Sequence, residues 1–306
     1  MAKDKLITIY TSTYNRATLL PRVYESLKRQ TSYNFIWQVI DDGSTDDTKI
    51  VVEKWKSETK EFEIRYYYKE NGGIHTARDA AYKLCDTELI LGVDSDDWLM
   101  DDAVEKIENI WNENDDKNVI GIFAKTTLES GKIACESFPE SLKKATCQDF
   151  LYKYKLQSDT VNVFKTDEMK KLVDAPKFDG ENLIGEGYKM IQLPEKPFLV
   201  RDIPIVVVEY QENGYSMGAH EAVFRNPKGF REDYKMHMVK ARYFKPKMRG
   251  YLGYISCSFI LHDYKYIKKS PKKIMTVLLT PLGVLSYLYL LSRTHKKTKA
   301  ARISEK

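Results

Sequence analysis

The first 93 residues alternate between two patterns of apolar and polar positions. Short apolar runs, each the length of a strand, occur at 6–11, 35–40, 62–68 and 88–93. Between them, apolar residues recur at helical intervals over 18–30, 46–60 and 75–85. The runs predict buried strands, and the helical interval predicts amphipathic helices. Their strict alternation predicts an α/β fold with a mostly parallel sheet and crossover helices on its faces.

Beyond residue 93 the pattern is less regular. A strand is predicted at about 119–127, and an apolar run at 203–208 predicts a strand that closes the domain. The stretch between them, 130–180, mixes short helical patterns with prolines. We therefore expect irregular elements in that part of the chain.

Charge divides the sequence into a body and a tail. Residues 231–306 hold 18 Lys/Arg against 4 Asp/Glu, whereas residues 1–230 hold 31 against 40. The formal net charge of +5 therefore combines an acidic body with a tail of net charge +14. We predict two domains with these boundaries.

The tail contains an uncharged and mostly apolar run of 18 residues, 274–291, flanked by basic residues on both sides. Such a run lies at the lower limit of the length that spans a bilayer, and Pro281 and Gly283 interrupt it. We predict a basic, amphipathic, helical tail that lies in the membrane interface or forms a shallow re-entrant hairpin. A true span and a core helix are the alternatives. The basic flanks suit a surface of anionic lipid.

Cysteine usage and the N-terminus indicate the compartment. The four cysteines form no Cys-x-x-Cys pair, which argues against a zinc site and against a disulfide framework. The chain enters its first predicted strand after five residues, without the apolar stretch and cleavage site of a signal peptide. We therefore expect a cytoplasmic protein.

Acidic side chains follow two predicted strands. Asp41-Asp42-Gly43-Ser44-Thr45-Asp46-Asp47 comes after the strand at 35–40, and Asp94-Ser95-Asp96-Asp97 after the strand at 88–93. Open α/β sheets bind ligands at the carboxyl ends of their strands. Asp94 and Asp96, two apart on an extended chain, are able to share a hard divalent cation. A solvated acidic turn or a helix cap is the alternative.

A glycine-containing segment, Asn71–Arg78, lies between a predicted strand and a predicted helix. Its two glycines allow close backbone approach, and a helix N-terminus favours an anion. Arg78, one turn into the helix, is within reach of a diphosphate. No Gly-Lys-Ser/Thr follows, so the segment is not a Walker A loop. His75 is more simply a structural donor than a catalyst.

Taken in order, these motifs resemble the signature series of glycosyltransferase family 2, whose members have the GT-A (Rossmann-like) fold. The motifs are Thr11–Arg16, Asp41–Asp46, Asn71–Arg78 and Asp94–Trp98. The resemblance covers roughly residues 5–215, and four motifs in this order are far more specific than any one of them. It implies a nucleotide-sugar half at about 1–127 and an acceptor half at about 128–230.

The resemblance also implies roles for individual residues. Family members transfer a sugar from a nucleotide diphosphate sugar with inversion, using Mn²⁺ or Mg²⁺ at the Asp-x-Asp motif. Asp96 would bind the metal, Asp94 the metal or the ribose, and Arg78 the diphosphate. Asp42 would contact the uracil edge. The remaining residues expected in the donor nucleotide site are Thr11 and Tyr14, which would line the base pocket, together with Arg16, Gly73 and Ser95.

A catalytic base is expected further along the chain, in an acidic motif before a helix. The segment Gly180-Glu-Asn-Leu-Ile-Gly-Glu-Gly187 resembles that motif. Many members have Glu-Asp where this chain has Glu186-Gly187, so the choice between Glu186 and Glu181 stays open, with Glu186 favoured. Inverting transfer needs one base for the acceptor hydroxyl and a cation for the departing diphosphate.

These observations predict a hexosyl- or N-acetylhexosaminyltransferase that builds cell-surface polysaccharide from a UDP-sugar. The expected acceptor is a glycan or a polyprenyl-diphosphate-linked glycan, and residues 231–306 would attach the enzyme peripherally to the inner face of the plasma membrane. A nucleotidyltransferase is the first alternative, but Thr11–Arg16 lacks its glycine-rich phosphate loop. A nucleic-acid-binding protein is the second, although the uncharged run in the tail fits lipid better. No sequence pattern predicts which sugar is transferred, which linkage is formed or which oligomeric state the protein adopts.

Overall fold

The computed structural model describes residues 5–132, 137–156, 160–185, 187–209 and 219–304 of the 306-residue chain. The chain divides into two compact units. Unit 1 consists of Met1–Asp174 and Leu193–Glu209, and unit 2 of Ala175–Gln192 and Tyr210–Lys306. The divisions between compact units therefore fall near residues 175, 193 and 210, and not at residue 230.

Unit 1 is an α/β domain. Its strands are β1 (Ile7–Thr13), β2 (Phe35–Asp41), β3 (Glu63–Tyr68), β4 (Leu89–Gly92), β5 (Trp98–Leu99), β6 (Gly121–Leu128), β7 (Lys144–Thr146), β8 (Thr160–Lys165) and β9 (Pro197–Val208). Its helices are α1 (Leu20–Lys28), α2 (Thr48–Glu58), α3 (Ile74–Leu84), α4 (Ala103–Asn112) and α5 (Thr166–Lys170), with a π-helical turn at Asp149–Lys153. The α/β class predicted from the alternating pattern is confirmed.

The strands form one mixed sheet in the order β3-β2-β1-β4-β8-β6-β9-β5, with β7 paired to β9. The neighbours β3, β2, β1 and β4 are parallel, as strands joined by crossover helices must be. Beyond β4 the sheet includes antiparallel pairs, β4 with β8 and β8 with β6. Strand β8 falls in the stretch where the sequence pattern predicts irregular elements.

Apolar side chains on both faces of the central strands make the core of unit 1. Strands β1 and β2 are buried along nearly their whole length, because helices cover both faces of a parallel sheet. Trp37, fully buried on β2, lies near the stacked rings of Tyr24 and Trp55, whose centroids are 4.4 Å apart. These aromatic side chains fix α1 and α2 against the sheet, so the loops that precede both helices are held at its carboxyl edge.

Unit 2 is helical. Its helices are α6 (Gly187–Met190), α7 (Ala219–Arg225), α8 (Pro227–Lys240), α9 (Phe244–Ile260), α10 (Tyr266–Lys269) and α11 (Lys273–Ser304). Helix α9 packs against both α8 and α11. Its core includes Tyr234 and Met238 from α8 and Tyr254 and Ile255 from α9.

The C-terminal apolar run forms part of one helix. Helix α11 continues without a break through Pro281, so the predicted re-entrant hairpin is wrong, and the proline costs one backbone hydrogen bond without ending the helix. Within the described residues, Lys273–Arg293 is the one stretch that is long and apolar enough to cross a membrane, judged by length and composition, with a mean hydropathy of 1.9. Most of that stretch is not buried by the protein, which contradicts the core-helix alternative.

Candidate active site

Four parallel strands bring the candidate residues to one edge of the sheet. In the register of unit 1, Thr13 on β1 pairs with Asp41 on β2, and Asp41 pairs with Tyr68 on β3. Strand β4 ends at Gly92, opposite Tyr10 of β1. The acidic motif after β2, the glycine segment after β3 and the acidic motif after β4 therefore all leave the sheet at its carboxyl edge, as predicted.

Asp42 is a buried carboxylate that organises the glycine segment. Its Oδ1 accepts a hydrogen bond from the Gly72 N–H (3.0 Å) and its Oδ2 accepts one from the Gly73 N–H (2.8 Å). Lys69 forms an ion pair with Oδ1, and the Asn71 side chain donates to the Asp42 carbonyl oxygen (2.8 Å). The described contacts of Asp42 thus hold the backbone that leads into α3. Its predicted contact with a uracil edge remains a prediction.

Two glycines make this arrangement sterically possible. Gly43 and Gly73 both have φ of +88°, a region that residues with a Cβ rarely adopt. A Cβ on Gly43 would lie 2.8 Å from the Asn71 backbone nitrogen. The loop after β2 and the segment after β3 therefore touch through their backbones, and only glycine permits that approach.

The loop after β1 is tied to the loop after β2 by polar contacts. Ser44 Oγ accepts from the Asn15 N–H (2.9 Å), and Asp46 Oδ2 accepts from the Ala17 N–H (3.0 Å). Asp46 also accepts from the N–H of Thr48 (3.1 Å), at the start of α2. Partial burial would raise the pKa of Asp46, but hydrogen bonds from the Thr48 hydroxyl and from these backbone groups lower it by more. Asp46 is therefore a charged acceptor that joins both loops to α2.

Asp94 and Asp96, after β4, lie beside two arginines. Arg78 Nη2 is 3.6 Å from an Asp94 oxygen, and Arg16 Nη1 is 3.9 Å from an Asp96 oxygen. The side chain of Asp94 is 55% exposed and that of Asp96 is 25% exposed, so both reach solvent at the sheet edge. The arrangement alternates acidic and basic groups, which suits a ligand that carries phosphates and a cation.

The donor set at this edge fits a hard divalent cation that is shared with a ligand. Among the described residues, no three acidic, histidine or cysteine side chains gather closely enough to hold a metal by themselves. Two carboxylates alone leave most of an octahedral shell to water and phosphate oxygens, which is how Mg²⁺ is usually bound at phosphate sites. Asp94 and Asp96 therefore suit a metal that binds together with a nucleoside diphosphate.

The remaining residues predicted for the donor site differ in exposure. Tyr14 is half exposed, Arg16 is partly exposed, and Ser95 is buried within the motif after β4. Thr11 is fully buried, and its hydroxyl accepts from the indole N–H of Trp37 (3.1 Å). The Thr11 side chain thus faces the core beneath the site, and its predicted place in a base pocket remains a prediction.

Sequence reasoning missed two features of this edge. Lys69, directly after β3, pairs with Asp42 and donates to Thr76 Oγ1 (2.8 Å), which links the segment to α3. Beneath it, the hydroxyls of Tyr10 and Tyr82 lie 3.2 Å apart, and burial, then Tyr82, raises the pKa of Tyr10 well above its usual value. A lysine immediately after a strand was the only signal for the first feature. No short pattern indicates the second.

The candidate base segment lies in unit 2. The Glu181 carboxylate accepts from the N–H groups of Lys228 (3.0 Å) and Gly229 (2.8 Å), in the first turn of α8. Glu181 is thus a helix cap, in which a charged acceptor satisfies free N–H groups. Glu186, the favoured base, lies outside the described residues.

The glycines on either side of Glu186 pack closely against α8. A Cβ on Gly185 would lie 2.9 Å from Asp233 Oδ2, and one on Gly187 would lie 2.8 Å from His237 Cε1. Burial alone would lower the pKa of His237, but Asp233, whose Oδ1 is 3.4 Å from the ring Nδ1, raises it by more. This lack of space explains why position 187 holds a glycine.

Comparison with known proteins gives one family. The family model described as glycosyl transferase family 2 matches residues 8–164. A chondroitin synthase of Escherichia coli is 38% identical over 101 residues, which cover 33% of this chain and only 14% of that synthase. A protein of Campylobacter jejuni is 24% identical over 248 residues, 79% of this chain and 77% of the relative. Its name is GalNAc(5)-diNAcBac-PP-undecaprenol beta-1,3-glucosyltransferase.

A solved structure shares the fold. The crystal structure of S. aureus TarS 1-349 in complex with UDP-GlcNAc aligns with a TM-score of 0.60 at 17% sequence identity. The alignment covers 94% of this chain and 79% of that chain. At this identity the likeness establishes the fold alone, and the fold is the GT-A arrangement implied by the motifs.

Proposed function

Because this chain belongs to glycosyl transferase family 2, we propose that it transfers a sugar from a UDP-sugar to an acceptor hydroxyl with inversion at the anomeric carbon. The observation that carries the proposal is the set of charged residues at the carboxyl edge of the sheet. Arg16 follows β1, Asp94 and Asp96 follow β4, and Arg78 lies near the start of α3. Their alternating charges suit a nucleoside diphosphate and a cation.

The donor is held by the loops at this edge. Asp42 keeps the 71–73 backbone in place, so that the first turn of α3 and Arg78 face the diphosphate. Free N–H groups at a helix N-terminus and a guanidinium both favour anionic oxygens. Tyr14 and Arg16 contribute from the loop after β1. UDP is favoured because a fold neighbour, TarS, was solved with UDP-GlcNAc.

Asp96, with Asp94, would hold Mn²⁺ or Mg²⁺ against the two phosphates. A bound cation would stabilise the charge that develops on the departing UDP. Arg78 and Arg16 add fixed positive charge beside the same carboxylates. Because these groups would stabilise the negative charge of the departing UDP, no carboxylic acid has to protonate it. Glycoside hydrolysis, in contrast, uses such an acid to protonate the leaving group.

Glu186 would act as the general base that takes the proton of the acceptor hydroxyl as its oxygen attacks. Glu181 is the weaker candidate because both its oxygens cap α8. This assignment rests on the position of Glu186 in the acidic motif before a helix.

The proposed acceptor is a glycan carried on a polyprenyl diphosphate at the cytoplasmic face of the membrane. The Campylobacter jejuni relative is named for an undecaprenol-linked acceptor and aligns with most of this chain. A basic tail that contains a long apolar helix suits an enzyme whose acceptor is anchored in lipid.

Calorimetric titration tests the donor site. UDP, GDP and a panel of their sugars would be titrated with Mn²⁺ present and again in excess chelator. We expect tight binding of UDP-linked ligands only with Mn²⁺, and a loss of at least about 100-fold in affinity for Asp96→Ala. Asp101→Ala, an exposed carboxylate paired with Arg29, is the matched control and should bind normally. Binding of no nucleotide sugar, or binding unaffected by chelator, would contradict the proposed site.

A further inference from the structure

One side of helix α11 exposes a continuous row of large apolar side chains. The exposed residues are Ile274, Met275, Val277, Leu278, Leu282, Leu285, Leu288 and Tyr289. Leu278 is 66% and Leu285 61% exposed. A contiguous apolar patch of this length marks an interaction surface.

The other side of α11 is fixed along α9. A Cβ on Gly283 would lie 2.5 Å from the Ile255 side chain, and the Ser256 hydroxyl donates to the Gly283 carbonyl oxygen (3.2 Å). Nearer its N-terminus, the Thr280 hydroxyl lies 3.0 Å from that of Tyr266. These contacts pack α11 against α9 and α10 around Thr280 and Gly283.

Helix α9 is packed just as closely on α8 at a different set of positions. A Cβ on Gly250 would lie 2.8 Å from the Met238 backbone nitrogen, and one on Gly253 would meet the Tyr234 ring at 2.5 Å. Unit 2 thus has three helices side by side, with α9 in contact with both α8 and α11. A movement of α11 into lipid carries α9 and α8 with it.

Charged groups on α8 limit how deeply α11 is able to enter a bilayer. Arg231 forms an ion pair with Asp263 (2.9 Å), and Lys235 with Glu232 (2.7 Å). If α11 crossed a bilayer, α8 beside α9 would enter the hydrocarbon with these groups, which is costly for every charge. If α11 lies in the plane of the membrane, only its exposed row enters the acyl region and α8 stays in water.

The charge distribution at the two ends of α11 supports the same geometry. Lys268, Lys272 and Lys273 are exposed before the apolar row, and Arg293, Lys296 and Lys297 follow it in the sequence. A spanning helix places its basic residues mainly on one side of the membrane. Basic residues at both ends suit a helix with both ends at one anionic surface.

We propose that α11 is a monotopic docking surface for an anionic lipid bilayer: its exposed row inserts at the boundary between headgroups and acyl chains, and both of its ends remain on the cytoplasmic side. The proposal goes beyond the proposed sugar transfer and does not depend on it, since it uses only contacts within unit 2.

Vesicle flotation tests the surface. The full chain would be mixed at low salt with vesicles of phosphatidylglycerol and phosphatidylcholine. We expect it to float, and the double variant Leu278→Asp/Leu285→Asp to lose at least about tenfold in bound fraction because charges do not enter the acyl region. Ile50→Asp, at a similarly exposed residue on α2, is the matched control and should float like the parent. A parent chain that stays at the bottom, or a double variant that floats normally, would overturn the proposal.

Labelling of the two helix ends tests the orientation. Lys272→Cys and Ser292→Cys, both at exposed positions, would be bound to preformed sealed vesicles and treated with a membrane-impermeant maleimide. The signal is the increase over a parent chain in which Cys135 is replaced by serine, as in both variants, and in which Cys85, Cys147 and Cys257 are buried. A monotopic helix predicts that both ends are labelled from outside, before the vesicles are lysed. Labelling of one end only after lysis would show a crossing helix and overturn the proposal.

Because neither readout measures turnover, failure here and failure of the proposed sugar transfer are distinguishable. A chain that binds UDP-sugars but does not float would keep its proposed function and lose this one. A chain that floats but binds no nucleotide would do the reverse.

Discussion

At the scale of residues, Asp42 holds together the backbone of the candidate donor site. Its buried carboxylate accepts from the Gly72 and Gly73 N–H groups and pairs with Lys69. In the sequence, Asp42 is one of four aspartates in a run of seven residues. Charge alone does not tell which of them is buried, because that depends on where the backbone of residues 71–73 comes to lie.

Removal of the Asp42 carboxylate should destabilise the fold. Hydrogen bonds to a charged acceptor contribute about 1.5–3 kcal/mol each, and Asp42→Ala leaves two buried N–H groups without this partner. We expect a loss of about 3 kcal/mol in the free energy of unfolding, measured by urea denaturation. Asp47→Ala, at an exposed carboxylate nearby, should change the unfolding free energy by less than about 0.5 kcal/mol. Equal effects for the two variants would show that the Asp42 contacts contribute little.

Glu186 and Glu181 should respond oppositely to the same substitution. Glu186→Gln should retain UDP-sugar binding and lose about 100-fold or more in transfer, because a general base contributes only in the transition state. Glu181→Gln should retain transfer but unfold more easily, by about 1 kcal/mol, because a neutral amide is a poorer cap for α8. Binding is measured by calorimetry, transfer by product formation and stability by denaturation. If Glu181→Gln lost transfer and Glu186→Gln did not, the base would be Glu181.

His237 predicts a specific pH dependence of stability. Burial would lower its pKa, but Asp233 raises it by more, so the folded pKa lies above the unfolded value of about 6.5. The stabilising contribution is therefore complete below the unfolded pKa, and it is lost as the pH rises through the folded pKa. The difference in unfolding free energy between the parent and His237→Gln should fall between pH 6 and pH 9.

Exposed His220 supplies the control for this measurement. The same difference for His220→Gln should change little over that pH range. A parent-to-variant difference at His237 that rises with pH would contradict the assigned direction of the pKa shift.

At the scale of elements, the loop after β2 contacts the segment after β3, and only a glycine at position 43 leaves room for that contact. Gly43 and Gly131 both have positive φ, but a Cβ on Gly43 would lie 2.8 Å from the Asn71 nitrogen, whereas one on Gly131 would meet nothing within 4 Å. Each alanine substitution costs about 1–2 kcal/mol of backbone strain. Gly43→Ala should cost more than Gly131→Ala and should also weaken UDP binding, which Gly131→Ala should not. Equal losses in stability and normal UDP binding by both variants would show that the two loops need not touch.

The parallel strands β1 to β4 were predictable because each of them coincides with a short run of mostly apolar residues, and a helical pattern separates one run from the next. The bounds of β1, β2 and β3 agree with the predicted strands to within about two residues. Strands β7 and β8 were missed because pairing with distant strands, which a local pattern does not contain, stabilises them. The continuity of α11 through Pro281 was missed for a similar reason, since packing against α9 compensates the lost hydrogen bond.

At the scale of the whole molecule, the sequence motifs indicated the family before any geometry was known. Strand order and the short loops at the carboxyl edge explain why four separated motifs converge on one site in unit 1. The motifs did not indicate the close packing of Gly185 and Gly187 on α8, because it joins residues about 50 positions apart. They also did not indicate the packing of α9 against α8 and α11, on which the proposed interfacial position of α11 rests.

The measurement that tests the central claim most directly is the release of UDP from a panel of UDP-sugars. The full chain would be incubated with Mn²⁺ and with anionic vesicles that carry a polyprenyl-diphosphate-linked glycan. The proposed function predicts that one UDP-sugar gives UDP together with an equal amount of transferred sugar, and that Glu186→Gln lowers the rate about 100-fold or more. A chain that neither hydrolyses nor transfers any UDP-sugar, or a Glu186→Gln variant as active as the parent, would contradict it.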